Sequence, residues 1–205
     1  MALSKKPVNG MKDILPAEME IRDYVTQVIK DTYRSFGFTP IETPCVENIS
    51  NLSNKQGGEN EKLIFKILKR GEKLNLETAK NEGDLVDSGL RYDLTLPLAR
   101  YYANNAEQLF TPFKALQIGN VFRADRPQKG RFREFYQCDV DVVGTNSLLS
   151  EVELIQIVEE VYRRFGIRVR LHINNRKILA GIAEVIGQPE RIVDITVAID
   201  KLDKI

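Results

Sequence analysis

The chain has 205 residues, 42% of them apolar and 29% charged, and its 30 Lys and Arg balance 29 Asp and Glu to leave a net charge of +1. That content sustains a packed core and excludes a disordered or collagen-like polymer, while near-neutrality excludes a protein that holds nucleic acid by bulk charge, so any basic site must be local. Two cysteines, Cys45 and Cys138, and one histidine, His172, exclude a disulfide framework and most zinc sites, argue against a Ser-His or Cys-His nucleophile, and point to a reducing, cytosolic setting. No stretch approaches the roughly 18 apolar residues of a membrane span, and the opening MALSKKPVNGMKDILP does not read as a signal peptide.

The first predicted element is a helix over residues 16–36. Ile21, Val25, Val28, Ile29, Thr32 and Phe36 recur at three- and four-residue spacing, Pro16 suits a first turn, and Gly37 suits the position past the end. Residues 38–47 (FTPIETPCVE) read as an edge or interrupted strand, because Pro40 and Pro44 forbid a helix. Residues 48–61 read as loop, residues 63–76 (LIFKILKRGEKLNL) as a hairpin turning near Arg70-Gly71, and residues 77–88 as a mobile polar connection. Residues 90–103 pass from an extended stretch into a helix near Pro97. Residues 113–122 and 132–144, on either side of the charged stretch 123–131, read as a long antiparallel hairpin. An amphipathic helix follows over 150–165, with Leu154, Ile157, Val158 and Val161 on one face and Gly166 as its stop. Residues 168–173 alternate like a strand, and 177–186 read as a short helix ending at Gly187. Strands outnumber βαβ units, so the expected class is α+β with an antiparallel sheet. The closing VAIDKLDKI stops in mid-pattern on an apolar residue, as a portion of a longer chain would; a frayed natural terminus is the alternative.

Glycine-rich phosphate loops are missing: there is no G-x-x-x-x-G-K-[ST], and no G-x-G-x-x-G after a strand. A phosphate would have to be held by arginines, and Arg123, Arg126, Lys129, Arg131 and Arg133 crowd the predicted hairpin tip. Side chains on a strand return to one face every second residue, so Arg133, Phe135, Gln137, Asp139 and Asp141 share one face, and Phe132, Glu134, Tyr136, Cys138 and Val140 the other. A guanidinium can grip a phosphate bidentately and an aromatic ring can stack on a base; the alternative is a solvated hairpin laced with ion pairs. The second candidate is Arg91-Tyr92-Asp93-Leu94-Thr95. In an extended chain Asp93 and Thr95 face the same way and could receive an ammonium group, while the alternative is a helix cap. His172 lies in a strand-like segment remote in sequence from both candidates and reads as part of the scaffold.

Five ordered segments carry a resemblance across nearly the whole chain. They are GMKDILP at residues 10–16, the FTPIETPCVE strand, LRYDLTLPLARY, VFRADRPQKGRFREFYQCDVDVVG, and NNRKILAGIAEVIG followed by DKLDK. Together they resemble the catalytic domain of the histidyl-tRNA synthetases, a family of class II aminoacyl-tRNA synthetases, with the first helix and the strand after it resembling motif 1 and the long hairpin motif 2. The resemblance implies an antiparallel sheet flanked by helices. It also implies ATP-dependent activation of histidine to histidyl-adenylate with Mg²⁺, and transfer to tRNA(His). Carried over by resemblance, Arg123 would bridge the amino acid carboxylate and the α-phosphate, and Asp93, Thr95 and Gln137 would hold the ammonium group. Asp141 would accept from the imidazole, Phe135 would stack on adenine with Asp125 near its amino group, and Arg131 would meet the outer phosphates. Exposed Arg126 and Lys129 would touch the tRNA acceptor stem. The resemblance further implies a cytoplasmic homodimer joined through the motif 1 region. It makes residues 1–205 a catalytic domain cut before motif 3 and the anticodon-binding domain, and such a piece alone is expected to be inactive. Two rivals stand beside it: a non-catalytic relative such as the regulatory subunit of ATP phosphoribosyltransferase, and a synthetase-like structural or signalling paralogue. The retention of Asp93, Thr95, Arg123, Gln137 and Asp141 favours the enzyme.

Overall fold

The structure, a computed structural model, describes residues 4–53 and 59–202, and the chain divides into two compact units, Met1–Ile167 and Arg168–Ile205. Part of the loop expected over 48–61, and the last residues of the DKLDK segment, lie outside the described residues. In the first unit, helix α1 (Pro16–Ser35) starts at Pro16 and stops where Gly37 takes a φ of +82°, a left-handed conformation that favours glycine. Strand β1 (Thr39–Pro40) follows and pairs in parallel with β5 (Phe113–Phe122), which pairs antiparallel along its whole length with β6 (Glu134–Val143). The second sheet is antiparallel, in the order β2 (Val46–Asn48), β4 (Val86–Leu90), β3 (Lys66–Leu68). The mixture of helices and mainly antiparallel strands is the expected α+β class.

The core sits where α1 and α5 (Leu149–Arg164) cover one face of the first sheet. Tyr33 and Phe38 meet Leu116 of β5 and Ile157 and Val161 of α5, and Cys138, Val140 and Val142 of β6 complete the layer. Burying these side chains is the main favourable term in holding the unit together. On the opposite face helix α4 (Thr95–Asn105) covers one end, where its Leu98 packs with Phe113, Ala115 and Val143, and further along β5 Gln117 and Val121 are also buried, with Arg91 lying against Gly119. The β6 side of that face is less covered, and there the polar Gln137, Asp139 and Asp141 are half-buried.

Three expectations for this unit need correction. Residues 63–76 do not fold back on themselves: Gly71, with a φ of +59°, opens a 3₁₀ turn (Gly71–Lys73), and β3 pairs instead with β4. The polar run 77–88 is ordered rather than a plain connection. It holds the short helix α3 (Glu82–Leu85), closed by a capping box between Asn81 and Asp84, and most of β4. Strand β4 escapes a hydropathy reading because its tightest position is Gly89, where a Cβ would stand 2.9 Å from Leu52 and 3.0 Å from the Phe65 carbonyl. Within the expected loop, residues 49–52 form the short helix α2 (Ile49–Leu52).

In the second unit, α6 (Arg176–Val185) is capped by the Asn175 side chain, which accepts a hydrogen bond from the Lys177 amide, and α7 (Ile192–Leu202) follows a 3₁₀ turn. Residues 168–173 were expected to be a strand, yet among the described residues no strand pairs with them and their side chains are exposed. Alternation without a partner to complete the hydrogen-bond ladder does not make a strand. His172 is exposed in this segment.

Candidate functional site

The register of the long hairpin builds the site. Val121 faces Phe135, Gly119 faces Gln137, Gln117 faces Asp139 and Ala115 faces Asp141 across β5 and β6. The period-2 alternation therefore lays Phe135, Gln137, Asp139 and Asp141 along the face that α4 leaves open, as expected. At one end of this row stands Arg123, just past β5. Its guanidinium carbon lies 4.3 Å from the centre of the Tyr92 ring and 5.2 Å from that of Phe135, and its Nε donates to the Tyr92 carbonyl at 3.1 Å. The cation is thus held between two aromatic rings.

Along the floor the balance is acidic. Asp139 is pushed up to about 6 from the ordinary 3.8, first by burial, then by the charges of Asp141 and Asp93, with Arg123 pulling the other way. Asp141 is likewise raised, by burial and then by Asp93. Three carboxyl groups and one guanidinium thus sense one another in a half-buried cleft. Two acceptor atoms on this floor, Gln137 Oε1 and Asp141 Oδ2, are buried without a hydrogen-bond partner among the described residues. Such atoms cost free energy unless a ligand donates to them.

Asp93 lies at the entrance to α4, where its Oδ1 accepts from the Leu96 amide at 3.1 Å. Leu94 is already in the right-handed helical region, so the extended spacing expected to align Asp93 with Thr95 is absent; Thr95 is the first helical residue and is exposed. The cap belongs to Asp93, whose charge also acts on Asp139 and Asp141. Asp125 sits 3.8 Å from Arg131 Nη1, and both line a cavity of about 250 Å³ with Arg123, Gly130, Phe132 and Phe135. Arg126 and Lys129 are exposed at the tip, where Gly130 reverses the chain at a φ of +78°. Arg133 is taken up by the scaffold: its Nε donates to the Asp125 carbonyl at 2.9 Å and its amide to the Gly10 carbonyl at 2.7 Å. A Cβ at Gly10 would stand 2.8 Å from the Arg133 side chain, which is why a glycine opens the GMKDILP segment.

Sequence reasoning put Asp139 on the right face without giving it a part, and it missed the supports. Gln117, 2% exposed, donates from Nε2 to the Leu94 carbonyl at 3.0 Å and accepts from Thr43 Oγ1. Buried Glu47 of β2 accepts from Arg100 Nε of α4 at 2.8 Å. A polar residue at an inward position of a strand is the signal that marks Gln117. Nothing in the local pattern marks Glu47, whose partner is 53 residues away.

A mainly antiparallel sheet thus carries a cleft with a guanidinium beside two aromatic rings at one end and carboxylates along the floor. Comparison with known proteins narrows this. The family described as histidyl-tRNA synthetase matches residues 10–204, and the chain belongs to that family. The histidine–tRNA ligase of Phocaeicola vulgatus is 53% identical over 96% of this chain and 45% of its own length. The crystal structure of histidyl-tRNA synthetase from Nostoc sp. PCC 7120 superposes with a TM-score of 0.79 at 33% identity, covering 100% of this chain and 43% of that one. A Bacillus halodurans structure titled as an ATP phosphoribosyltransferase regulatory subunit/histidyl-tRNA synthetase shares the fold at a TM-score of 0.64 and 22% identity. The chain therefore spans less than half the length of each of these three proteins.

Proposed function

We propose that this chain supplies the amino-acid activation site of a histidine–tRNA ligase, joining histidine to ATP as histidyl-adenylate and passing the histidyl group to tRNA(His). The observation that carries the reading is Arg123, held between Tyr92 and Phe135 at the head of an acidic floor with two unpartnered acceptors. A cleft with that polarity suits a ligand cationic at one end and anionic at the other.

Activation is an in-line attack of the histidine carboxylate on the α-phosphorus, with pyrophosphate leaving, and it depends on positioning and charge neutralisation more than on a base. Arg123 lies between the two anions and offsets their repulsion as the new bond forms. Asp93, together with Gln137 and Thr95, receives the ammonium group. Asp141 accepts from the imidazole, and an apolar competitor would leave its buried oxygen unpaired, which is a strong basis for rejection. Phe135 stacks on adenine, Asp125 lies toward the adenine amino group, and Arg131 reaches the outer phosphates. Mg²⁺ carried on the triphosphate would offset the charge of the departing pyrophosphate.

On this reading residues 1–205 belong to a catalytic domain whose motif 3 and anticodon-binding domain would lie in the rest of the protein. The motif 1 region, α1 and the strand after it, would form the face of a homodimer. No described helix is long and apolar enough to cross a membrane, and a cytoplasmic location suits a partner of tRNA. Histidine-dependent ATP–pyrophosphate exchange by the full-length protein tests the assignment. Arg123→Ala should abolish exchange, and Asp141→Ala should raise the KM for histidine far more than that for ATP. Near-normal exchange in Arg123→Ala would sink the reading, and a full-length protein without exchange would favour the regulatory-subunit rival.

A further inference from the structure

Arg91 is among the most buried charged residues of the first unit, 4% exposed, yet among the described residues no carboxylate lies within ion-pair distance of it. Its guanidinium is spent on backbone: Nε donates to the Asn120 carbonyl at 2.7 Å, and Nη1 donates to the Thr43 carbonyl at 2.7 Å and to Thr43 Oγ1 at 3.3 Å. Its own amide donates to the Cys45 carbonyl at 2.8 Å, and its carbonyl accepts from the Phe122 amide at 3.0 Å. The remaining nitrogen, Nη2, rests against Gly119, where a Cβ would stand only 2.5 Å away. The strand gives up a side chain there to admit the cation.

Filling a core with an apolar residue of similar volume is often neutral or stabilising compared with burying a charge. A guanidinium kept in such a place is therefore explained by what its directional donors fix. They lock three segments together, at Thr43, Asn120 and residue 91 itself. The next two residues along are Tyr92, whose ring and carbonyl hold Arg123, and Asp93, which faces the carboxylates of the floor.

We infer that Arg91 is a positioning residue for amino-acid activation: its fork of backbone hydrogen bonds, admitted by Gly119, sets the Tyr92-Asp93 step that aims Arg123 and receives the substrate ammonium group. The inference rests on the function proposed above. It assigns Arg91 no contact with substrate. Lysine cannot replace it, because one ammonium group cannot serve carbonyls lying in two directions as a planar fork does.

The test uses the full-length protein with Arg91→Lys and Arg91→Met, and with Gly119→Ala, which keeps the arginine but crowds its seat. In histidine-dependent ATP–pyrophosphate exchange, each variant should raise the KM for histidine roughly tenfold or more while leaving the KM for ATP within about twofold. Unchanged KM values for both substrates, with activity falling only in proportion to folded protein, would mean that Arg91 merely fills space and would overturn the inference. Amide hydrogen exchange supplies a readout independent of catalysis. The Leu96 amide, bonded to Asp93, should exchange about tenfold faster in Arg91→Met, while the Ile41 amide, bonded to the Leu116 carbonyl, should not change. If the unaltered protein shows no exchange activity, the proposed function falls and the Leu96 amide decides the placing of Arg91; equal protection at Leu96 in variant and parent overturns it.

Discussion

Asp139 shows how far a single side chain can be read from spacing. Period-2 alternation puts it beside Gln137 and Asp141 without any structure, but its ionisation depends first on burial, then on the charges of Asp141 and of Asp93, which arrives from a different element. A carboxyl whose folded value is raised from 3.8 to about 6 binds its proton more tightly folded than unfolded. Stability therefore falls as pH rises through that window, and the cost of the charge is fully present above it. Asp139→Asn should accordingly melt at a higher temperature than the parent at about pH 7.5, with the gain shrinking to nothing near about pH 4. Scanning calorimetry across that range checks this; a difference in Tm that does not vary with pH would place the effect elsewhere. The arginines of the tip were less legible. Five basic residues look alike in sequence, yet Arg123 is clamped between rings, Arg133 is consumed by the Gly10 turn, and Arg126 and Lys129 are exposed. What separates them is contact with residues 9–10 and 92, which local spacing cannot encode.

Among the elements, those whose partners are close in sequence or whose periodicity is strong were recovered nearly to the residue: α1, the β5–β6 hairpin and α5. Those that pack through backbone were not. Strand β4 reads as a loop because Gly89 and Ser88 carry little side chain, although it is the central strand of its sheet. Helix α5 reads clearly because its inward stripe is apolar, and Ile157, 1% exposed, lies at the centre of that stripe against Leu116. Ile157→Ala leaves a cavity that α1 and the sheet cannot close, and it should cost about 2–5 kcal/mol in urea denaturation. A cost below about 1 kcal/mol would mean that α5 is only loosely seated.

At the scale of the molecule, a net charge of +1 conceals local differences: the floor of the cleft is acidic, while Arg126 and Lys129 are exposed at the hairpin tip. On the proposed function, Arg126 and Lys129 contribute to tRNA binding through phosphates alone. Replacing both with alanine in the full-length protein should weaken binding to any tRNA alike and reduce the slope of log affinity against log salt by about 1–2. A loss of affinity with an unchanged salt slope would exclude phosphate contact.

The hydrogen bonds that join Arg133 to residues 9 and 10 also govern when the site can first exist. The Asn9 carbonyl and the Arg133 guanidinium are 124 residues apart in the chain. At about 5–20 residues per second, a ribosome makes the opening segment roughly 6–25 s before the arginine that receives it. Through that interval Gly10 has no seat, the strand that will carry Phe135 and the acidic floor is still unmade, and α1 is finished long before the sheet it covers. The cleft is therefore among the last parts of its unit to close during synthesis.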